Sequence, residues 1–147
     1  MPLPSKSPIN ALQKVVHARL SADAALTTLL GGAGRVVDQP GETMALPYVR
    51  VGESISTADN THTTIGRNVV QTLHIWTQKR GNKSGQDIAA RIGELLDHQT
   101  AAMDAALRPE GHRVVAIRQE FDQALTDPDP EIRHHVVRVR VHTAQLS

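Results

Sequence analysis

TDPDPEIRHHVVRVRVH, residues 126–142, decides the fold, because it reads as a metal site and as a hairpin at once. Asp127-Pro128-Asp129-Pro130 sets Asp before Pro twice, which favours extended backbone and turn initiation. Pro128 and Pro130 fix φ and remove two donors, so the turn cannot extend a ladder. From Arg133 onward the residues alternate as in a strand, where every second side chain shares a face. Val137, Val139 and Val141 fall on one face with His135. His134, Val136, Arg138, Arg140 and His142 fall on the other. The acids Asp127, Asp129 and Glu131, with the nearby histidines and arginines, would suit a metal or a phosphate by composition alone. The parity opposes this. His134 and His135 point apart, and His142 lies ~27 Å along the strand from His134 at ~3.4 Å per residue. A solvated turn feeding a strand is the reading taken, with an anion-binding face as the next alternative and a metal site after it.

Working outward, Val114–Phe121 is the strand before this turn and Arg133–His142 the strand after it. Val69–Thr77 places Val69, Gln71, Leu73 and Ile75 on one face and Val70, Thr72, His74 and Trp76 on the other. Apolar groups on both sides indicate a central strand, with Trp76 expected as a core anchor. Pro47–Val51 begins its hairpin partner, and STADNTHTTIG, residues 56–66, is the long polar connection between them.

Helix signals frame these strands. Ser7 reads as an N-cap with Pro8 at the first helical position, followed by Ile9, Leu12, Val16 and Leu20. Ser21 opens a second short helix, which Gly31-Gly32 ends. A short strand follows at Arg35–Asp38. Ser84 and Asp87 have capping-box spacing, and Ile88, Ile92, Leu95 and Leu96 form a stripe running to about Asp97. His98–Ala106 either prolongs that helix or starts another short element, with an extra strand near Leu107 as one option. Pro109-Glu110-Gly111 is a turn. The order α-α-β-β-β-α-β-β predicts an α+β fold: an antiparallel or mixed β-sheet packed against a helix layer, with a long β-hairpin loop. Residues 1–7 read as a flexible arm and 8–147 as a single domain. Trp76, Ile92, Val137 and Val139 are the expected core anchors.

Composition narrows function. The 147 residues suit one domain, which at this size buries roughly 68–70% of its unfolded surface. Tyr48, Trp76 and Phe121 are the only aromatics, too few for a platform that stacks single-stranded nucleic acid. A net charge of +1 is too balanced for a DNA-coating protein. With no cysteine, a thiol nucleophile, a Cys-ligated zinc site and disulfides are excluded. MPLPSKSPINALQ carries no apolar core or cleavage pattern, and no run approaches the ~18 apolar residues of a membrane helix. A soluble intracellular protein is expected. His62 lies alone in the polar loop. Gly31-Gly32-Ala33-Gly34 follows a helix and lacks a P-loop lysine. Lys79-Arg80-Gly81-Asn82-Lys83 reads as a basic turn. No catalytic set, cofactor site or metal site emerges.

Taken together, ALQKVVHARLSADAALTTLLGGAGRVVD, LPYVRVGES, QTLHIWTQKRGNKSGQDIAARIGELL and GHRVVAIRQEFDQALTDPDPEIRHHVVRVRV resemble the tail-completion, or tail-terminator, family of long-tailed phages, prophages and gene transfer agents. The resemblance covers roughly residues 10–143, with His98–Leu107 longer than the family pattern. It implies a structural virion protein and no enzyme. Such subunits form rings, typically hexameric, that cap the head-proximal end of the tail tube and meet the head–neck connector, with DNA passing through without sequence-specific binding. The implied partners are further copies of the chain, the tail tube protein and the connector, with no membrane. The implied location is the host cytoplasm during assembly and then the particle tail. The candidate assembly surface comprises Thr57, Asp59, His62 and Ile65 on the long loop, Lys79, Arg80 and Lys83 before the helix, and Arg138 and Arg140 on the last strand. A neck or connector subunit is the alternative. A small nucleic-acid-binding module using Arg138, Arg140 and Lys79–Lys83 would be a different class, as would a histidine-based metal hydrolase.

Overall fold

A computed structural model describes residues 4–38, 45–78, 83–129 and 131–146. The chain runs through α1 (Ile9–Ala22), α2 (Ala24–Leu29), β1 (Val36–Val37), β2 (Tyr48–Ala58), β3 (Gly66–Gln78), α3 (Lys83–Leu96) and α4 (Thr100–Leu107). A 3-10 turn at Arg108–Glu110 leads into β4 (His112–Leu125) and β5 (Ile132–Gln145). The strands form one sheet in the order β1-β2-β3-β5-β4. Only β1 and β2 run parallel; β2–β3, β3–β5 and β4–β5 are antiparallel. This is the mixed sheet with a helix layer that the element order predicts.

All the helices lie on one face. Val69, Leu73 and Ile75 of β3 and Val137, Val139 and Val141 of β5 are buried against them. From the helices, Leu12, Leu20, Leu26, Ile92, Leu96 and Met103 close that core. His135 shares this inner face, as its parity requires, and is buried under α3, where a Cβ on Gly85 would collide with its ring. Gly85 is what lets α3 approach β5 so closely. Gln71 is buried on the same face. Its amide donates to the carbonyls of Gly52 (3.1 Å) and Thr72 (2.9 Å) and its side-chain oxygen accepts from Ser54 Oγ, so no polar atom there is left without a partner.

Three local expectations need correction and one left open is decided. The cap of the second helix is Asp23, not Ser21, because α1 continues through Ser21 to Ala22. Asp23 is extended, and its carboxylate accepts from the Leu26 N–H at 2.8 Å. At the first helix the cap position is Pro8 itself, and the Ser7 hydroxyl accepts from Ile9 N–H at 3.3 Å. No capping box forms at Ser84, which lies inside α3, while Asp87 takes the Lys83 ammonium at 2.9 Å. Finally, the ambiguous stretch before Leu107 is helix α4, not a strand: Met103 and Leu107 anchor it in the core, and His98 at φ +62° turns the chain into it.

Trp76 is the larger correction. It stands on the outer face of β3, half-buried, opposite Tyr48 and His134. The two-sided apolar pattern of β3 does mark a central strand, but the helices cover only one side. On the other side, outer residues shield one another.

Candidate assembly surface

The uncovered face is ordered by register into rows across the sheet. One row is Tyr48, Trp76, His134 and Leu125; the next is Arg50, His74, Val136 and Gln123. Thr72, Arg138 and Phe121 follow, then Ile55, Val70, Arg140 and Arg118, then Thr57, Asn68, His142 and Ala116. Bulges at Val51/Ser54, Val114/Ala116 and Gln119/Phe121 each shift the alternation by one residue, so Arg50 and then Ile55, and Arg118 and then Phe121, face outward.

The first two rows hold a histidine network. The carboxylate of Glu53 accepts from His74 Nε2–H at 3.0 Å. A neutral His74 then presents Nδ1 as an acceptor, to which His134 Nε2–H donates at 2.8 Å. Trp76 stacks on His134 with centroids 3.7 Å apart and planes 12° from parallel. Burial, and then the neighbouring His74, hold the His134 pKa below its ordinary value. The contacts of this network bring in no hydroxyl or amine nucleophile. Among the described residues no group of three His, Asp or Glu side chains has the geometry of a metal site.

The arginines of this face are engaged within the sheet. Arg140 donates to the Glu120 carboxylate and to Asn68 Oδ1 (3.0 Å). Arg138 lies over the Phe121 ring, 4.9 Å from its centroid. At 4.9 Å this is within reach of a cation–π contact. Arg50 and Arg118 stand nearby, so positive charge exceeds the carboxylates of Glu53 and Glu120.

At one end of the sheet the β2–β3 connection is shorter than the polar stretch suggests. β2 continues to Ala58 and β3 resumes at Gly66. The Thr57 hydroxyl donates to Asn68 O at 3.3 Å, and Asp59 lies 3.4 Å from His142 Nδ1. His62 is exposed at the apex, and the Ile65 carbonyl accepts from Gln145 N–H at 2.8 Å. Thr57, Asp59, His62 and Ile65 therefore share one end with His142. Lys83 starts α3 at the other end, so it does not join them. Lys79 and Arg80 lie outside the described residues. The Glu53–His74–His134–Trp76 cluster and exposed Phe121 and Leu125 belong to the same face, outside the surface that the sequence suggests. Strand parity alone puts Trp76 and His74 on one face. It does not say which face the helices leave open.

Known proteins share this architecture. In the gene transfer agent particle virion, one chain superposes with a TM-score of 0.80 at 22% identity, over 95% of this chain and 99% of that one. The bacteriophage SPP1 gp17 structure superposes with a TM-score of 0.56 at 23% identity, over 96% and 95% of the two chains. In sequence, the tail completion protein gp17 of Bacillus phage SPP1 is 29% identical over 130 residues, spanning 88% of this chain and 90% of the relative. The model of the family described as tail completion protein gp17 matches residues 14–144, from α1 to the end of β5. That match spans nearly the whole described fold, and the chain belongs to the tail completion protein gp17 family.

Proposed function

We propose that this chain is the tail terminator of a phage or phage-like particle: a structural, non-catalytic subunit that closes into a ring, expected to be a hexamer. The ring caps the head-proximal end of the tail tube and joins it to the head–neck connector, and DNA passes through it. Assembly takes place in the host cytoplasm, and the mature protein resides in the particle tail. The observation that carries this reading is the family match over residues 14–144. The geometry supports it, because among the described residues no helix packs on the outer sheet face, where Glu53, His74 and His134 bind one another and Arg140 binds Glu120 and Asn68. Thr57, Asp59, His62, Ile65, Lys83, Arg138 and Arg140 are the proposed contact residues on this chain. A cap must match the tube on one side and refuse further tube on the other, and loops held on a rigid sheet suit that task.

The test is electron microscopy of particles made without this chain. Tails that grow overlong and fail to join heads are expected. Tails of normal length that merely fail to join would favour a neck subunit instead. Intact, joined particles would overturn both.

A further inference from the structure

The two borders of the sheet are treated differently along their lengths. The first half of edge strand β4 is closed by the α3–α4 region. Val114 N–H donates to the Asp104 carboxylate at 2.8 Å and Gln119 N–H to the Asp97 carboxylate at 2.7 Å. The Ile117 carbonyl accepts from His98 N–H at 3.2 Å. Beyond the bulge after Gln119 this cover stops. Among the described residues, Phe121–Leu125 pairs with β5 on one side and with nothing on the other. On the opposite border, among the described residues, β1 covers β2 only at Val49 and Arg50, and Ser54–Ala58 pairs with β3 alone.

Proteins ordinarily blunt such edges with lysine, proline or a covering element, because a bare edge is a template for another strand. Neither segment carries lysine or proline. SISTA (residues 54–58) has no charge, and FDQAL (residues 121–125) has one, Asp122. Exposed large apolar side chains gather here too: Ile55 is 62% exposed, and Phe121 and Leu125 are 36% exposed each. On the outer face, Ile55 and Thr57 stand on one border and Phe121, Gln123 and Leu125 on the other.

We propose that Phe121–Leu125 of one copy pairs as an antiparallel strand with Ser54–Ala58 of the next copy. The strand directions permit it. β2, β3, β5 and β4 alternate, so a second copy added in the same orientation sets its β2 antiparallel to β4. Parity permits it as well, since Ile55 then meets Phe121 or Leu125 on the same face. The two open segments sit diagonally: Tyr48 is level with Leu125, while Thr57 is level with Ala116. Each added copy is therefore staggered along the strands, as closing a sheet on itself requires. A contact that joins two different surfaces of one chain is heterologous, and it makes a ring when its rotation closes. The proposal rests on the ring reading above and specifies which elements meet.

The chain has no cysteine, which allows a direct test. Single variants I55C and T57C are each mixed with F121C, Q123C and L125C, then assembled and oxidised. T57C mixed with A101C, on exposed α4, is the control. At least one edge pair is expected to give on the order of tenfold more cross-linked dimer than the control or either variant alone. Every position is exposed, and circular dichroism identifies any variant that fails to fold. Light scattering of the wild type, free and on tail tubes, reads the ring separately. A wild type that assembles while no edge pair cross-links overturns the strand pairing and leaves the ring standing. A wild type that stays monomeric in both settings overturns both.

Discussion

Trp76 shows how one side chain can occupy a central strand without belonging to the core. Its ring covers His134 and faces solvent on the other side. Removing it forfeits a stack and partial burial, about 1–2 kcal/mol, instead of the ~3–5 kcal/mol of a core tryptophan. Trp76→Ala is expected to fold, with a modestly lower urea midpoint. Leu73→Ala, emptying a fully buried site on the same strand, is expected to cost ~2–5 kcal/mol. Equal losses in the two variants would refute this placement. The buried histidines give the protein a pH dependence with a definite sign. Burial is the leading cause that holds His112, His134 and His135 below their ordinary 6.5; Lys6 adds to it at His112 and His74 at His134, while Asp122 partly opposes it at His135. The unfolded chain then binds protons first, so stability is full above about pH 6.5 and declines as pH falls through the lower folded values. His135 has no hydrogen bond to offset its burial, because neither ring nitrogen has a hydrogen-bond partner among the described residues. His135→Leu is expected to be neutral or stabilising at pH 7, since it removes a buried unpaired polar group, and to flatten the fall in urea midpoint between pH 7.5 and 5. An unchanged slope would place the titration elsewhere.

Among the elements, α2 is too short to hold itself and depends on its ends. Asp23 caps it and also grips Arg91 of α3 through two hydrogen bonds of 2.8 and 2.7 Å. The Arg91 guanidinium is the chief reason the Asp23 carboxyl titrates down at about 2 instead of 3.8. A carboxyl with a depressed folded pKa stabilises above its unfolded value and loses that contribution as pH falls toward the folded one. Asp23→Ala is expected to cost at least the ~1 kcal/mol of a lost cap, and Asp23→Asn less, because amide oxygen still caps. A urea titration at pH 7 ranks the two; an Asn variant as weak as Ala would mean the ion pair, not the cap, holds α2. This element also marks where the sequence was legible. Strand parity gave the β5 faces correctly, because alternation is a property of neighbouring residues. Gly31-Gly32 gave the helix end, and the stripe through Ile92 gave α3. The cap was missed because Ser21 and Asp23 are both good N-caps and only the packing of Arg91 chooses between them. α4 stays open in the sequence, as a helix extension or a new short element, because its alanine-rich run has little periodicity; Asp97 and Asp104 fix it by binding the edge of β4. Which sheet face lies open, and hence the surface around Trp76, depends on where all the helices pack, which no local pattern records.

For the whole molecule, the described helices pack on one face of the sheet, and the proposed contacts fall on the other face, its edges and the β2–β3 tip. The tip is a built turn. Asp59 N–H donates to Gly66 O at 2.9 Å, Thr61 N–H to Thr64 O at 2.9 Å, and Gly66 N–H to Asn60 Oδ1 at 3.1 Å. It is also tied to the end of β5, since Gln145 N–H donates to the Ile65 carbonyl. None of these bonds reaches the hydrophobic core, so the fold does not need the apex. Replacing residues 60–65 with Asn-Gly sets a two-residue turn between the paired Asp59 and Gly66 and matches the twist of the flanking strands. Shortening a connection by so little changes its closure entropy by well under ~1 kcal/mol, so the melting temperature is expected to stay within a few degrees of the wild type. The same variant removes His62 and the polar apex from the end of the sheet that carries Thr57, Asp59 and His142. If that end meets the tube or the connector, the variant subunit should form rings in light scattering while particles show tails and heads unjoined. The two readouts separate the surfaces: ring formation tests the strand edges, and joining tests the tip. Normal joined particles from a folded, loop-shortened subunit would remove the tip from the assembly surface and leave the open sheet face and its borders to carry both contacts.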